Sequence, residues 1–252
     1  MANITSFDVF DTVLTRTVGS PTSVFLLLGR RLHNMALIDC TPEAFARARF
    51  KAGVRALKNA DHREVALFQI YTELGAALRL TEEQSNRLMH LEIKMEAELI
   101  RAVPGAQDRV RNARAQSQRV VFLSDMYLTS TFIQNQLKKH KMWSDRDKLF
   151  VSCEYAKKKA SGELYREFLL SEGVLPESVL HSGNDHKADN HSAKRVGIQV
   201  DPFLDANLNR YEQILESYNW VTEGLSSVMA GASRLARLNI PAYSTKEKVL
   251  SS

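Results

Sequence analysis

Residues 6–16 read SFDVFDTVLTR, and the interpretation of the whole chain begins from this stretch. Apolar residues cluster over residues 4–10, in a run too short for a helix, so the sequence predicts a buried β-strand there. Two acids, Asp8 and Asp11, lie three positions apart where this strand ends, and Thr12 follows them. A carboxylate at the end of a buried strand is a candidate nucleophile or cation ligand.

A second buried strand is predicted at residues 119–123, which read RVVFL and are followed at once by Ser124 and Asp125. Strands and helices alternate after it. The further strands are expected at residues 149–152, 179–181 and 198–200, and the helices at 132–139, 163–170 and 190–195. This alternation predicts an α/β fold, a Rossmann-like parallel sheet with helices on both faces and right-handed crossovers. Its ligand site should lie at the carboxyl ends of the strands.

Residues 21–116 follow a different pattern, helix after helix, in which no strand is expected. Helix start signals stand at Thr41-Pro42-Glu43 and at Thr81-Glu82-Glu83. The first strand therefore belongs with the second half of the chain, and the helical block is an insertion. The predicted units are an α/β core of residues 1–17 and 116–205, a helical insertion of residues 18–115, and a helical extension with a polar tail at 206–252.

The composition, with 44% hydrophobic and 25% charged residues in a 252-residue chain, is that of a globular protein. No apolar stretch approaches the roughly 20 residues needed to span a bilayer, and residues 1–19 lack the pattern of a secretory signal, so a cytoplasmic location is expected. Cys40 and Cys153 have no metal-binding spacing. The net charge of +5 is spread without interleaved aromatic residues, which favours steering of an anionic substrate over nucleic-acid binding.

Four segments together resemble the motifs of the haloacid dehalogenase (HAD) superfamily. They are FDVFDTVLTR at residues 7–16, VVFLSD at 120–125, KASGELY at 159–165 and HSGNDHKAD at 181–189. Their order matches that of the superfamily, and the helical insertion stands where those proteins carry a C1-type cap. A closer likeness is to predicted HAD hydrolases of bacterial surface-polysaccharide loci, which share the SDMYL segment at residues 124–128.

The resemblance implies a role for each polar residue of these motifs. Asp8 would be the nucleophile that forms an aspartyl-phosphate, with Thr12, Ser124 and Lys159 around the transferring group. Arg16 and Asp125 would contact the substrate. Mg²⁺ would be the cofactor, because it prefers hard oxygen ligands. The ligands implied are Asp8, the main-chain carbonyl of Phe10, Asn184, Asp185 and Asp189.

Two positions depart from the phosphatase pattern. Phe10 replaces the acid that stands two residues after the nucleophile, and Asn184 replaces the first acid of the fourth motif. Asp11 is a candidate substitute acid, but a turn-capping role competes, since successive side chains of a strand face opposite ways. With Asn184 as a neutral ligand, Mg²⁺ should bind weakly.

The expected function is that of a phosphohydrolase acting on a small phosphorylated metabolite, such as a sugar or polyol phosphate. The two departures keep two alternatives open. One is a metal-independent, dehalogenase-like hydrolase. The other is a catalytically degenerate binding domain in polysaccharide assembly, with the apolar residues of the C-terminal helices docking a further domain or a protein partner.

Overall fold

A computed structural model describes residues 3–116 and 119–240 of the chain. Its larger sheet has five parallel strands in the order β5-β4-β1-β6-β7, with β1 at the centre. The strands are β1 (Ile4–Asp8), β4 (Arg119–Ser124), β5 (Lys148–Val151), β6 (Val179–Gly183) and β7 (Gln199–Pro202). The predicted α/β architecture is confirmed, and its central strand, β1, is the strand predicted at residues 4–10.

Two short strands join the sheet to the helical insertion. They are β2 (Leu14–Arg16) and β3 (Ile100–Ala102), which pair antiparallel, with Thr15 opposite Arg101. The strand β3 lies inside the block in which no strand was expected. Three residues are too few to show a periodicity, and they become a strand because β2 supplies their hydrogen-bond partners.

The insertion between these two strands consists of four helices. They are α1 (Ser23–Asn34), α2 (Pro42–Asn59), α3 (Leu67–Leu78) and α4 (Glu82–Leu99). Both predicted start signals are helix caps, because Thr41 Oγ1 accepts from Ala44 N at 3.3 Å, and Thr81 forms a capping box with Gln84. Within the described residues, no helix is long and apolar enough to cross a membrane.

The helix α5 (Ala106–Ala115) follows β3 and packs against β4 of the core sheet. Its Arg109 guanidinium donates to the main-chain carbonyl of Thr12 in the loop after β1. These contacts group α5 with the core, whereas the predicted insertion runs to residue 115. The helical pattern alone could not reveal this, because a core helix and an inserted helix have the same periodicity.

Helices cover both faces of the sheet. One face carries Phe7 and Phe122 and packs against α5 and α6 (Ser130–Lys139), in a core that continues into the inserted helices. The other face carries Ile4 and Val121 and packs against α8 (Glu163–Glu172) and α9 (Ser192–Val196). One turn of helix, α7 (Ser152–Tyr155), follows β5. Burial on both faces explains the nearly continuous apolar runs of these strands.

Two buried ion pairs tie the inserted helices together and to the core. Arg49 of α2 donates two hydrogen bonds to Glu92 of α4, at 2.6 and 2.7 Å, and Tyr71 of α3 donates to the same carboxylate at 2.8 Å. One turn further along α4, Glu96 accepts from Arg16 of β2 at 2.8 Å. These pairs fix the orientation of α4, because unpaired buried charges would be very costly.

The C-terminal extension is a pair of helices, α10 (Arg210–Ser217) and α11 (Leu225–Leu238), packed against each other. The fully buried Arg234 of α11 reaches the segment that joins the core to the insertion. Its Nη2 donates to the main-chain carbonyls of Arg16 at 2.9 Å and Val18 at 2.8 Å, and its Nη1 donates to Asp11 at 3.0 Å. The predicted tail beyond residue 240 lies outside the described residues.

We expect Arg234→Met to lower the free energy of unfolding by about 2–4 kcal/mol, since it leaves buried carbonyl groups and a carboxylate without their donor. Urea denaturation measures this change. Arg210→Met is a matched control, because Arg210 is exposed, and it should stay within about 0.5 kcal/mol of the wild type. Equal losses in both variants would show that Arg234 does not hold the junction.

Candidate active site

The ends of three neighbouring strands bring the motif residues together. Asp8 is the last residue of β1, Ser124 is the last residue of β4, and Asn184 follows β6 directly. The register pairs Asp8 with Leu123 and Phe7 with Ser182, so the three strand ends lie side by side. This is the edge at which a parallel sheet binds its ligand.

Lys159 connects the two buried acids of the site. Its Nζ donates to Oδ1 of Asp8 and, at 2.6 Å, to Oδ1 of Asp189. All three side chains are less than 10% exposed. The main-chain N–H of Lys159 donates to both oxygens of Asp125, at 3.0 and 3.1 Å. Asp125, predicted to contact substrate, thus fixes the loop that carries Lys159.

Thr12 and Asn184 lie on the other side of the Asp8 carboxylate. Thr12 Oγ1 donates to Oδ2 of Asp8 at 3.0 Å and lies 3.5 Å from Oδ1 of Asn184. The Asn184 amide donates to Oδ1 of Asn207 at 2.7 Å, which turns its carbonyl oxygen towards Thr12. The Ser124 hydroxyl is buried, at 1% exposure, and makes no side-chain hydrogen bond among the described residues.

Asp11 does not join this cluster. Its backbone has a φ of 58°, in the left-handed region that an aspartate tolerates in turns. Its carboxylate accepts from Thr15 Oγ1 at 2.5 Å and from Arg234 at 3.0 Å. The role of substitute acid, suggested by the sequence, is not supported by this geometry, and Asp11 instead stabilises the turn after β1.

Arg16 is not free to bind an anion by itself. Its guanidinium is paired with Glu96 and lies 4.2 Å from the ring centre of Phe10. Tyr127 also donates to Glu96, at 3.0 Å. Because Glu96 neutralises this arginine, the predicted contact of Arg16 with substrate would be a stacking or packing contact.

Two of the five predicted metal ligands are engaged elsewhere. Asp185 caps the following helical turn by accepting from the main-chain N–H groups of Lys187 and Ala188, and Asp189 is bound to Lys159. Residues 3–116 and 119–240 contain no group of three His, Cys, Asp or Glu side chains arranged to hold a metal. What remains for a cation is Asp8, the Phe10 carbonyl and the Asn184 amide oxygen. A set of hard oxygens with one charge fits a Mg²⁺ ion that also needs water and substrate oxygens as ligands.

No family model matches the sequence, and neither does any curated protein. Solved structures do match. A 2-haloacid dehalogenase from Pseudomonas syringae pv. Tomato DC3000 is 14% identical, with a TM-score of 0.60 over 81% of this chain and 87% of that one. A protein named as the HAD-hydrolase YfnB from Bacillus subtilis, bound to magnesium, is 17% identical, with a TM-score of 0.56 over 79% and 88%. A protein named as a β-phosphoglucomutase from Thermotoga maritima is 16% identical, with a TM-score of 0.54 over 79% and 84%.

The chain has the HAD fold. The expectation drawn from the four motifs is confirmed at the level of the fold, with the four inserted helices in the position of the cap. The likeness to proteins from polysaccharide loci stays a prediction.

Behind the site of this HAD fold lies a polar network that the sequence reasoning missed. Tyr165 OH lies 3.0 Å from Nε2 of His181 and 3.4 Å from Oδ1 of Asp189, and Nδ1 of His181 lies 2.9 Å from Ser6 Oγ. Burial lowers the pKa of His181, so its ring is neutral at pH 7. Tyr165 stands six residues after Lys159 in the lysine motif, and that spacing was the signal that could have found it.

Burial also controls the charge of the nucleophile candidate. It raises the pKa of Asp8 to about 7; Lys159 opposes the rise and the nearby Asp189 adds to it. The pKa of Lys159 is raised well above its usual value, because the attraction of Asp189 and Asp8 outweighs the effect of burial. Asp189 has a lowered pKa, since Lys159 and His181 outweigh its burial. Asp8 therefore exchanges its proton near neutral pH while its two partners stay charged.

A cavity of about 390 Å³ is lined by residues of the inserted helices together with Phe10 of the loop after β1 and Asp125 of the loop after β4. Most of its wall is apolar. The apolar side chains are those of Phe10, Pro21, Phe25, Phe50, Val54, Leu57, Val65, Ile70, Met126 and Tyr127. The volume suits a small ligand.

We expect Asp8 to titrate near pH 7 in the metal-free protein, and Asp189→Asn to lower that pKa. The substitution removes a like charge and leaves Lys159 to Asp8 alone. Carboxyl-detected NMR with ¹³C-labelled aspartate measures both values, and the signal lost in Asp8→Asn assigns the resonance. Titration of Asp8 at its ordinary value, about 4, would contradict the argument.

Proposed function

We propose that this chain is a hydrolase of a small phosphorylated metabolite that works through a covalent aspartyl-phosphate on Asp8. The observation that carries the proposal is the hydrogen bonding of Asp8: Lys159 donates to one carboxylate oxygen and Thr12 to the other. This pairing fixes the carboxylate at the strand end, so that one lone pair can be directed at an incoming group.

The chemistry proceeds in two steps. An oxygen of Asp8 attacks phosphorus and the leaving group departs; water then attacks the phosphorus of the aspartyl-phosphate and releases phosphate. Lys159 keeps Asp8 in place, and the Ser124 hydroxyl donates to a phosphoryl oxygen. Bound Mg²⁺ would be held by Asp8, the Phe10 carbonyl and Asn184, and it would neutralise the charge of the phosphoryl oxygens.

The charge of the site supports a metal that binds together with the substrate. Asp8 and Asp189 carry two negative charges when ionised and Lys159 carries one positive charge, so the buried cluster has a net charge of −1. A phosphate dianion is repelled by this cluster unless a further cation arrives with it. Mg²⁺ commonly completes its coordination with substrate phosphate oxygens.

A second candidate is a metal-independent, dehalogenase-like reaction in which Asp8 attacks carbon. Phe10 and the binding of Asp11 to Arg234 favour it, because a halide departs without a proton and needs no acid. The carboxylate of a 2-haloacid would also need a cation, and the two arginines of the cavity are already paired with Glu96 and Glu92. This weakens the second candidate relative to the first.

Phosphate release from a panel of phosphate monoesters and acyl phosphates with Mg²⁺ tests the proposal. Asp8→Asn should abolish turnover, since an amide is a far poorer nucleophile, and mass spectrometry of the acid-quenched wild type should find one phosphoryl group on the peptide that contains Asp8. Asp185→Asn, which changes an acid outside the reacting cluster, is the control and should stay active. A panel left intact, with halide released from 2-haloacids, would favour the second candidate. No turnover of either class, with no binding of vanadate, would leave the degenerate binding domain.

Asn184→Asp should tighten Mg²⁺ binding by about tenfold or more, because it adds a charged ligand close to Asp8 in a partly buried site. Calorimetric titration with Mg²⁺, in the presence of vanadate as a phosphate analogue, measures the affinity of wild type and variant. Asn207→Asp places a similar charge beyond the amide of Asn184 and is the matched control, in which a smaller change is expected. Unchanged affinity in Asn184→Asp would show that this residue does not face the metal.

A further inference from the structure

We infer that the substrate's leaving group is an apolar, stabilised oxyanion, so that aryl and acyl phosphates are the substrates and sugar or polyol phosphates are not. The inference rests on the proposed function, and it narrows the substrate class that the sequence led us to expect. Two independent features carry it. The acids near Asp8 are engaged in other contacts, and the wall of the cavity is mostly apolar.

Within residues 3–116 and 119–240, no acid of the loop after Asp8 or of the cavity wall is free to protonate a leaving group. Phe10 occupies the position two residues after Asp8, and its ring stacks on Arg16. The Asp11 carboxylate is held by Thr15 and Arg234, away from Asp8. Asp125 and Glu64 line the cavity. Both oxygens of Asp125 accept from the main-chain N–H of Lys159, and Glu64 accepts from Ser152 Oγ at 2.8 Å and pairs with Lys158 at 3.3 Å.

The lack of an acid matters most for alcohols. An alkoxide from a sugar is a poor leaving group, and a positioned general acid is worth about 10²–10⁴-fold in rate for such a step. A carboxylate or a phenoxide departs with the electron pair of the broken P–O bond and needs no proton at that moment. The Asp8 carboxylate gains the phosphoryl group, water later provides the oxygen of the released phosphate, and the proton balance is closed by the solvent.

The cavity favours the same class of leaving group. Its charged side chains include Arg16 and Arg49, which are already bound to Glu96 and Glu92. A sugar placed against the surrounding apolar wall would lose hydrogen bonds to water without replacing them, at a cost for each hydroxyl group. An aromatic ring or an alkyl chain would instead bury its surface favourably against the same wall.

The first experiment is a leaving-group series. We expect kcat/KM for aryl phosphates to fall at least about 100-fold as the pKa of the phenol rises from about 7 to about 10, and turnover of sugar phosphates to lie lower still. Phe10→Asp should raise kcat/KM for sugar phosphates at least about tenfold over Phe10→Asn, which has the same size but no acidic proton. Asp125→Asn should leave the slope of the series unchanged.

The second experiment narrows the cavity without disturbing the site. A Cβ added to Gly53 of α2 would meet only Arg49 Nη1 within 4 Å, at 3.6 Å, which is an ordinary contact, so a side chain can begin there without a clash. Gly53→Leu should raise KM for naphthyl phosphate about tenfold or more, because the leucine fills space that lines the cavity. Acetyl phosphate, which is small, should be hydrolysed as by the wild type, and the thermal midpoint should not fall.

The outcomes separate the inference from the proposed function. Turnover with a flat leaving-group series, or sugar phosphates hydrolysed as fast as aryl phosphates, overturns the inference and leaves the phosphohydrolase standing. A slope that steepens in Asp125→Asn identifies Asp125 as the missing acid and also overturns it. No turnover of any phosphate overturns both.

Discussion

The buried ammonium group of Lys159 is the interaction on which the site depends. It lies between Asp8 and Asp189, and its removal would leave two carboxylates without a counter-charge in the interior. Two further contacts fix this arrangement. Asp125 accepts from the main-chain N–H of Lys159, and Asp189 accepts from the main-chain N–H of Asp185 at 2.9 Å. The loops after β4 and β6 therefore take their positions from one charge, and so does the nucleophile candidate at the end of β1.

The second acid of the opening motif serves the architecture. Asp11 and the main-chain carbonyls of Arg16 and Val18 bind Arg234, which lies more than two hundred residues later in the chain. The C-terminal helices are thus part of the support of the site, because the turn after Asp8 and the path into the inserted helices are held by one guanidinium. A planar group with several donors suits this task, since it donates to several acceptors in fixed directions.

The sequence predicted the features that depend on local pattern. These features are the five strands of the larger sheet, the caps of α2 and α4, and the convergence of Asp8, Ser124 and Asn184 at one sheet edge. Partnerships over long distances could not be read in this way. Arg16 pairs with Glu96, Arg234 binds Asp11, and α5 packs on the core. These are tertiary contacts, and residue spacing does not predict them.

The two departures from the phosphatase pattern act on the charge of the site in the same sense. Phe10 and Asn184 each replace an acid with a neutral side chain, so the site carries two fewer negative charges near Asp8 than the pattern would give. Fewer negative charges weaken the attraction for a divalent cation, and they also reduce the repulsion of an anionic substrate. The site therefore has fewer charged ligands for a metal, and it also has less negative charge for a metal to neutralise. The raised pKa of Asp8, about 7, reduces the negative charge of the site further. Near neutral pH, Asp8 is protonated in part of the population until a cation binds.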